Sequence, residues 1–534
     1  MSSVTSLAHV DGPPLVRLEE LLWVAEIPSL GAARHSERDA IIFAERGIHT
    51  TFAGLEAQTN AFVAAMRARG LAAGERIAYL GRNNDLFFAV LFGSIRAGLV
   101  LVPLNWRLAP PELAYQLQDS QSRLLICDAD FVAPAQLAMA GLAAPLPVLL
   151  TEGDAGSGAL RDLLAQPAPA VPSPRVNDQL VLQLYTSGTT GKPKGVLISH
   201  GALSLARHAE RISPDWADWP EGEVSLSAMP NFHVGGMSWV LVGLVRFATV
   251  VITADPMPGN MLRLVREYGC MRSFIVPTVL RAIVNDLRAR NEAPPKMNGI
   301  YYGAMPIGES LLQDVLAMFG CRLGQYFGMT EVTGTATFLP PSRHNFERPE
   351  LLKSVGLPIP GMSLQVRRPD RSVALSREPG EVWIKAPTCM LGYWNLPEQT
   401  AQALVDGWYA TGDGGYLDEE GYLYLTDRIK DMIVSGGEKI YPVEVEEALR
   451  QHPGVLDACV VGQPDARWGE IVVAVVETRP GVTLSEDELR EHARTRIAGY
   501  KCPKVVRFGP LPRTASGKLQ RAELRKRLKE AVVA

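Results

Sequence analysis

At 534 residues the chain exceeds one ordinary compact domain, since domains run roughly 100–200 residues, so several are expected. Hydrophobic residues at 47% and charged residues at 21% exclude a disordered or fibrous chain. A formal net charge of −4 argues against a nucleic-acid scaffold, which needs a clustered basic excess, and leaves small molecules as the expected partners.

The opening MSSVTSLAHVDGPP lacks a basic start followed by an apolar core, so no secretory signal is read there and the reducing cytoplasm is expected. The apolar stretch Phe131 to Leu150 is broken by Pro134, Pro145 and Pro147, and that from Ser238 to Thr253 carries Arg246. Neither reads as a transmembrane segment, and both are expected in cores. QPAPAVPSPRVND at 166–178 has four prolines and reads as an extended connection. Strand-length apolar runs at 181–185, 250–253 and 274–277 alternate with segments of helical period, which predicts an α/β protein with parallel sheets covered by helices.

The last hundred residues read as a smaller α+β unit. Pro442 opens a helix through VEVEEALRQ, strands follow at about 456–462 and 471–477, and Ser485 with Glu488 forms a capping box ahead of Leu489, Ala493 and Ile497. The six cysteines (Cys127, Cys270, Cys321, Cys389, Cys459, Cys502) are scattered, suggest neither a zinc site nor a disulfide framework, and are expected as buried or half-buried thiols.

The most informative string is YTSGTTGKPKGV, Tyr185 to Val196. An apolar strand gives way to a loop of Ser, Thr, Gly and Lys, and a helix capped by Ser199 follows. Thr186, Ser187, Gly188, Thr189, Thr190 and Gly191 can cradle phosphate through hydroxyls and close backbone approach, while Lys192 and Lys194 supply positive charge. It is not a Walker loop, because Gly191-Lys192 is followed by Pro193 and position 186 is Thr where that loop has its first glycine.

This string resembles the phosphate loop of the adenylate-forming superfamily, and further signatures follow in the family's order. They are FHVGG (232–236), YYGAMP (301–306), YFGMTE (326–331), GEVWIK (380–385), YATGD (409–413), DRIKDMIVSGGEKIYP (427–442) and PRTASGKLQR (512–521). The resemblance implies a large N-terminal domain of packed α/β subdomains, residues 1–429, and a small mobile α+β C-terminal lid, residues 430–534, hinged near Lys430. It further implies an acyl-CoA synthetase that uses ATP, Mg²⁺ and coenzyme A to convert a fatty or aryl carboxylic acid to acyl-CoA through an acyl-adenylate.

Roles follow from the resemblance residue by residue. Thr330 would contact the α-phosphate and Glu331 would hold Mg²⁺, a hard cation suited to carboxylate oxygen. Gly303, Ala304 and Phe327 would form the adenine slot. Asp413, assisted by Arg428, would bind the ribose hydroxyls. Lys518 would bridge substrate carboxylate and adenylate phosphate. Gly436 and Gly437 would line the pantetheine tunnel, Trp468 would contact the CoA nucleotide, and His233 would gate the acyl pocket.

Two departures stand out: Phe327 replaces a commoner Tyr, which keeps ring stacking but loses a phenolic hydrogen bond, and Met305 replaces a smaller residue. His233 stands where amino-acid-activating relatives carry Asp, which disfavours an α-amino acid. Nothing in the sequence near His233, Gly235 and Gly236 supplies a charge for a second carboxylate. A stand-alone acyl-AMP ligase that loads a carrier protein is the alternative, and the reading admits a homodimer.

Lys518→Ala is expected to lose roughly 10²–10³ of the rate of acid-dependent ATP–pyrophosphate exchange while keeping its fold, the size of effect of one preorganised charged contact. Exchange at the wild-type rate would remove Lys518 from the adenylation step.

Overall fold

A computed structural model describes residues 6–154, 156–186, 192–213, 219–305, 307–344, 347–428, 431, 433–435, 438–465, 468–513 and 519–533. The chain forms two compact units, one of residues 10–364 and 384–409, the other of 1–9, 365–383 and 410–534. The unit holding the C-terminal hundred residues thus also takes in 365–383 and 410–429, strands whose pairing a linear order of motifs does not reveal. Lys430, the expected hinge, lies outside the described residues.

The larger unit is built on two mixed sheets. The first runs Gly392–Tyr393, Lys194–Ser199, Leu180–Thr186, Val100–Leu104, Arg76–Leu80, Leu124–Cys127, Val148–Leu150. Its central strands RIAYL and VLVPL are buried on both faces, as parallel strands under helices must be. Pro103 has no N–H to give, and the ladder to the neighbouring strand is confined to Leu101 with Leu182. The helix Leu86–Ala97 is apolar all round and buried throughout most of its length. Gly93 lets it close on Phe62, whose Cδ1 would lie 2.5 Å from an added Cβ.

The second sheet has nine strands in the order Leu357–Pro358, Gly334–Leu339, Arg322–Met329, Gly299–Gly303, Arg272–Phe274, Val224–Ser227, Thr249–Ile252, Asp39–Phe43, Ile48–Thr51. Its middle is parallel, whereas both edges are antiparallel, so the expectation of parallel sheets holds only for the interior. The predicted strand at 274–277 needs correction as well. The strand ends at Phe274 and Pro277 begins the helix Pro277–Arg290, where its missing N–H costs nothing. The apolar stretch 238–253 is divided between the helix Val234–Leu244 and the strand Thr249–Ile252, with Arg246 buried between them.

The strands Ser363–Arg367, Gly380–Lys385 and Trp408–Leu417, most of whose residues belong to the smaller unit, lie side by side, and Leu423–Arg428 pairs antiparallel with the last. The C-terminal part has a five-stranded sheet whose long hairpin, Val455–Asp465 with Gly469–Thr478, matches the predicted strands. Alternation divides it between two cores. Ala458, Val460, Val472 and Ala474 face Val445, Leu449 and Leu489 on the helices Pro442–Arg450 and Glu486–Arg494, while Cys459, Val461, Val473 and Val475 face Leu524 and Leu528 of the terminal helix. The Ser485 cap forms as expected, its Oγ accepting from the Glu488 N–H at 3.2 Å, although the helix ends at Arg494, before Ile497. Four of the six cysteines are buried and two half-buried, all as free thiols.

Ser199 caps the helix His200–Ile212, accepting from Ala202 N–H at 3.1 Å, and places His200 in the core. His200 Nε2 accepts from the Ala25 N–H at 3.3 Å, a bond that requires the neutral ring. Burial pushes this imidazole from its ordinary 6.5 down to about 4, and burial lowers His233 and His344 likewise. As pH falls from 6.5 to about 4 the unfolded chain takes up protons that the folded chain refuses, so stability is whole above this window and declines through it. For His200 the loss reaches roughly 3 kcal/mol. The urea midpoint is expected to drop across this range. In His200→Gln, whose amide oxygen can still accept from Ala25, the drop should shrink by about a third. An undiminished drop would show that His200 does not contribute.

Candidate active site

The larger unit gathers several of the expected residues around one turn. The strands Arg322–Met329 and Gly334–Leu339 form a hairpin in which Met329 faces Gly334, closed by the short turn Thr330–Val332. Thr333 and Gly334 both take positive φ, 62° and 117°. Gly328 tolerates no side chain, because a Cβ there would lie 1.8 Å from the Gly334 carbonyl oxygen. This tight closure projects Thr330 and Glu331 beyond the sheet.

Glu331 is held from both sides. Its Oε1 accepts from the Tyr393 hydroxyl at 3.2 Å and from Thr186 Oγ1 at 3.5 Å, and its carbonyl accepts from the Met390 N–H at 2.8 Å. Thr186, in the phosphate-loop string, is the last described residue before 187–191 and faces Lys194 across the strand pair. The Lys194 ammonium stands 4.8 Å from the centre of the Tyr393 ring, and that of Lys192 stands 5.6 Å from the Tyr115 ring. The structure therefore brings Thr186, Lys194 and Glu331 together around Tyr393. Ser187, Gly188, Thr189, Thr190 and Gly191 lie outside the described residues. Among the described residues no cluster of three or more His, Cys, Asp or Glu could hold a metal ion. A cation here would rest on the single carboxylate of Glu331 with substrate oxygens, the arrangement that Mg²⁺ accepts.

Gly303 ends its strand opposite Tyr326, and an added Cβ would lie 2.4 Å from the Tyr326 carbonyl oxygen. Ala304 follows at φ 66° and is exposed, and Phe327 is half-buried after Tyr326. The small residues and the ring expected to receive adenine thus lie at neighbouring strand ends.

His233 caps the helix Val234–Leu244, its carbonyl accepting from the Met237 N–H at 3.1 Å, and its ring lies 4.4 Å from that of Phe232. Burial, with the charge of Arg107 added, pushes it down to about 4, so it carries no charge near neutrality. Arg107 and Arg82 lie 4.5 and 4.9 Å from the centre of the Trp106 ring, a basic and aromatic group that sequence reading passed over.

Sequence reading also missed Arg207 and Glu210. Both are almost fully buried, with Arg207 Nη2 donating to Glu210 Oε1 at 2.7 Å and Nε standing 2.6 Å from Oε2. Thr335 Oγ1 donates to the same Oε1 at 3.0 Å. The charge that reaches His233 is that of Arg107, which the sequence near His233, Gly235 and Gly236 did not show. Arg207 and Glu210, an Arg and a Glu three apart, resemble any solvated pair in sequence.

In the smaller unit Asp413 lies in the strand Trp408–Leu417 opposite Arg428, whose side chain is outside the description. The Asp413 N–H donates to Thr411 Oγ1 at 3.0 Å, and that hydroxyl donates to the Val382 carbonyl at 2.7 Å. Trp468 is 41% exposed, which suits a ligand contact better than a core role, and Lys504 lies 5.9 Å from its ring centre. Gly436, Gly437 and Lys518 lie outside the described residues.

Comparisons with known proteins agree with this geometry. The profile of the AMP-binding enzyme family matches residues 30–394, and that of the AMP-binding enzyme C-terminal domain matches residues 444–518. The chain is 38% identical over 498 residues, 93% of its length and 94% of the relative's, to the fatty acid–[acyl-carrier-protein] ligase ScoC of Streptomyces coeruleorubidus. It is 36% identical to a feruloyl-CoA synthase of an Amycolatopsis species, over 90% of this chain and 94% of that one. Among solved structures, o-succinylbenzoate CoA synthetase (MenE) from Bacillus subtilis with its acyl-adenylate intermediate superposes with a TM-score of 0.83 at 29% identity, covering 94% of this chain and 98% of that one. With both regions of the chain matched and such relatives spanning nearly its whole length, the protein belongs to the AMP-binding enzyme family and is an ATP-dependent, AMP-forming acid–thiol ligase.

Proposed function

We propose that the chain activates a fatty or aryl carboxylic acid as its acyl-adenylate and then transfers the acyl group to the thiol of coenzyme A. The observation that carries this is the approach of Glu331 to Thr186, which sets a carboxylate beside the start of a phosphate-binding loop. In the first step an oxygen of the substrate carboxylate attacks the α-phosphorus of ATP and pyrophosphate leaves. In the second the thiolate attacks the carbonyl carbon and AMP leaves.

Each residue then has a task. Thr186 with residues 187–191, Lys192 and Lys194 hold the phosphates. Thr330 hydrogen-bonds the α-phosphate, and Glu331 would hold Mg²⁺, which when bound would supply charge neutralisation for the phosphates. Gly303, Ala304 and Phe327 receive adenine, while Asp413 and Arg428 bind ribose. Lys518 bridges carboxylate and phosphate, and Lys430 is the hinge that exchanges Lys518 for Gly436 and Gly437 at the acyl phosphate. Trp468 takes the CoA nucleotide. Neutral His233 offers the acyl cleft no counter-ion, which disfavours an α-ammonium group there. Among the described residues no helix is long and apolar enough to cross a membrane, and we place the enzyme in the cytoplasm, with a homodimer compatible with this reading.

The relative that acts on an acyl-carrier protein favours a second reading, in which the acceptor thiol belongs to a carrier protein. AMP release from a panel of acids, with and without coenzyme A and with a phosphopantetheinylated carrier, separates them. Coenzyme A should be required for sustained turnover and should yield acyl-CoA. Transfer to the carrier alone would establish the second reading, and no AMP release with any acid would overturn both.

Glu331→Gln should raise the Mg²⁺ needed for half-maximal pyrophosphate exchange by roughly tenfold or more, because a neutral amide cannot balance a divalent cation. An unchanged Mg²⁺ titration would move the metal to another residue.

A further inference from the structure

Resting on the assignment of ribose to Asp413 proposed above, we infer that Glu381 and Thr411 are positioning residues for that carboxylate, which act through the main chain of residues 411–413 to set the grip on the ribose hydroxyls. The string GEVWIK (380–385) has no part in the proposed chemistry. Its strand Gly380–Lys385 nevertheless lies beside Trp408–Leu417, the strand that carries Asp413.

Asp413 stands where that strand departs from a regular ladder. Its pairing with Leu423–Arg428 shifts register between Asp413 and Gly415, and Gly412 before it takes φ 71° with nothing within 4 Å of an added Cβ. Glycine therefore serves the backbone conformation there and not close packing. A register shift re-aims a side chain and leaves main-chain groups without ladder partners, and those groups must be satisfied in another way. Side chains do this. Glu381 Oε1 accepts from the Gly412 N–H at 3.0 Å, Thr411 Oγ1 accepts from the Asp413 N–H at 3.0 Å, and the Thr411 hydroxyl donates to the Val382 carbonyl at 2.7 Å. Both amides that lead to the Asp413 side chain are thus tied, directly or through one hydroxyl, to the strand of GEVWIK.

The second carboxylate oxygen explains why position 381 holds an acid. Glu381 Oε2 accepts from Trp383 Nε1 at 3.0 Å, so one side chain receives two N–H donors. An ionised carboxylate accepts on both oxygens, whereas an amide would turn donors of its own toward one of them. Trp383 is buried and the Arg367 guanidinium stands 4.2 Å from its ring centre, which makes the indole a fixed anchor. The order runs Arg367, Trp383, Glu381, Gly412, Asp413, all within the smaller unit. A carboxylate grips a hydroxyl only over a narrow range of position, so loosening residues 411–413 weakens recognition of ribose and leaves the contacts to base and phosphate as they are.

The test measures Kd for AMP and for 2′,3′-dideoxy-AMP, which lacks both hydroxyls, by calorimetry on the full-length enzyme, with no acid and no turnover. The wild type should prefer AMP by about tenfold or more, and Asp413→Ala should bring the ratio near one. Glu381→Met, of similar length without an acceptor, and Thr411→Val, of the same shape without the hydroxyl, should each lower the ratio by about threefold or more, through weaker AMP binding at an unchanged Kd for the dideoxy nucleotide. Glu381→Gln, which keeps one acceptor, should fall between wild type and Glu381→Met, and Thr411→Ser should keep the wild-type ratio. Melting curves verify the fold, and either variant decides alone if the other does not fold. A ratio that survives in a folded Glu381→Met or Thr411→Val, or equal weakening of both nucleotides, would overturn the inference and leave Asp413 in its task. A wild-type ratio near one, or one that Asp413→Ala leaves intact, would overturn the ribose assignment and this inference together, while acid activation is read separately from acid-dependent pyrophosphate exchange.

Discussion

The segment from Thr388 to Tyr393 is the constraint on which the site of the larger unit depends. One side of it pairs with the strand Lys194–Ser199, which carries the end of the phosphate-loop string, Gly392 against Leu197 and Tyr393 against Val196. The other side holds the hairpin turn, through the Thr333 hydroxyl to the Thr388 carbonyl at 2.7 Å and the Met390 N–H to the Glu331 carbonyl at 2.8 Å. Two sheets that share no strand are thereby fixed edge to edge at the point where one carries Thr186 and the other Glu331. A backbone bridge of this kind sets spacing more firmly than two long side chains could, because each bond holds a main-chain position.

Within that frame polarity is graded. The strand pair beside the turn offers half-buried Thr186 and Lys194, and the start of the helix Val234–Leu244 offers His233, an imidazole that burial keeps neutral. Beyond it lies an ion pair taken almost wholly out of water. Burying Arg207 with Glu210 costs more desolvation than an apolar pair of the same volume would, so stability alone does not account for it.

The motifs that act through backbone and sequence-local chemistry were legible in the sequence. Ser199 and Ser485 cap the helices they were expected to cap, and the strand before Thr186 and the long C-terminal hairpin lie where alternation puts them. What could not be read is what depends on distant pairing. Phe274 to Pro277 looked like one strand, because a proline that starts a helix and one that ends a strand have the same apolar neighbours. Arg207 and Glu210 were missed, because burial of a helix face depends on Thr335 and the Val234–Leu244 helix, which lie far along the chain. The compact unit around the C-terminal region reaches back to residues 365–383 for the same reason.

The nine-stranded sheet also bears on how the protein is made. The strand Asp39–Phe43 is completed by Thr249–Ile252, which pairs with it in parallel, and Thr249 Oγ1 donates to the Asp39 carbonyl about 210 positions away. At a synthesis rate of roughly 5–20 residues per second, the apolar strand DAIIF would emerge from the ribosome roughly 10–40 seconds before its partner. For that interval its open edge is a template for mispairing, and loop closure over so long a chain is slow. Yield in a heterologous host should therefore depend on chaperone capacity during translation more than on the stability of the finished fold.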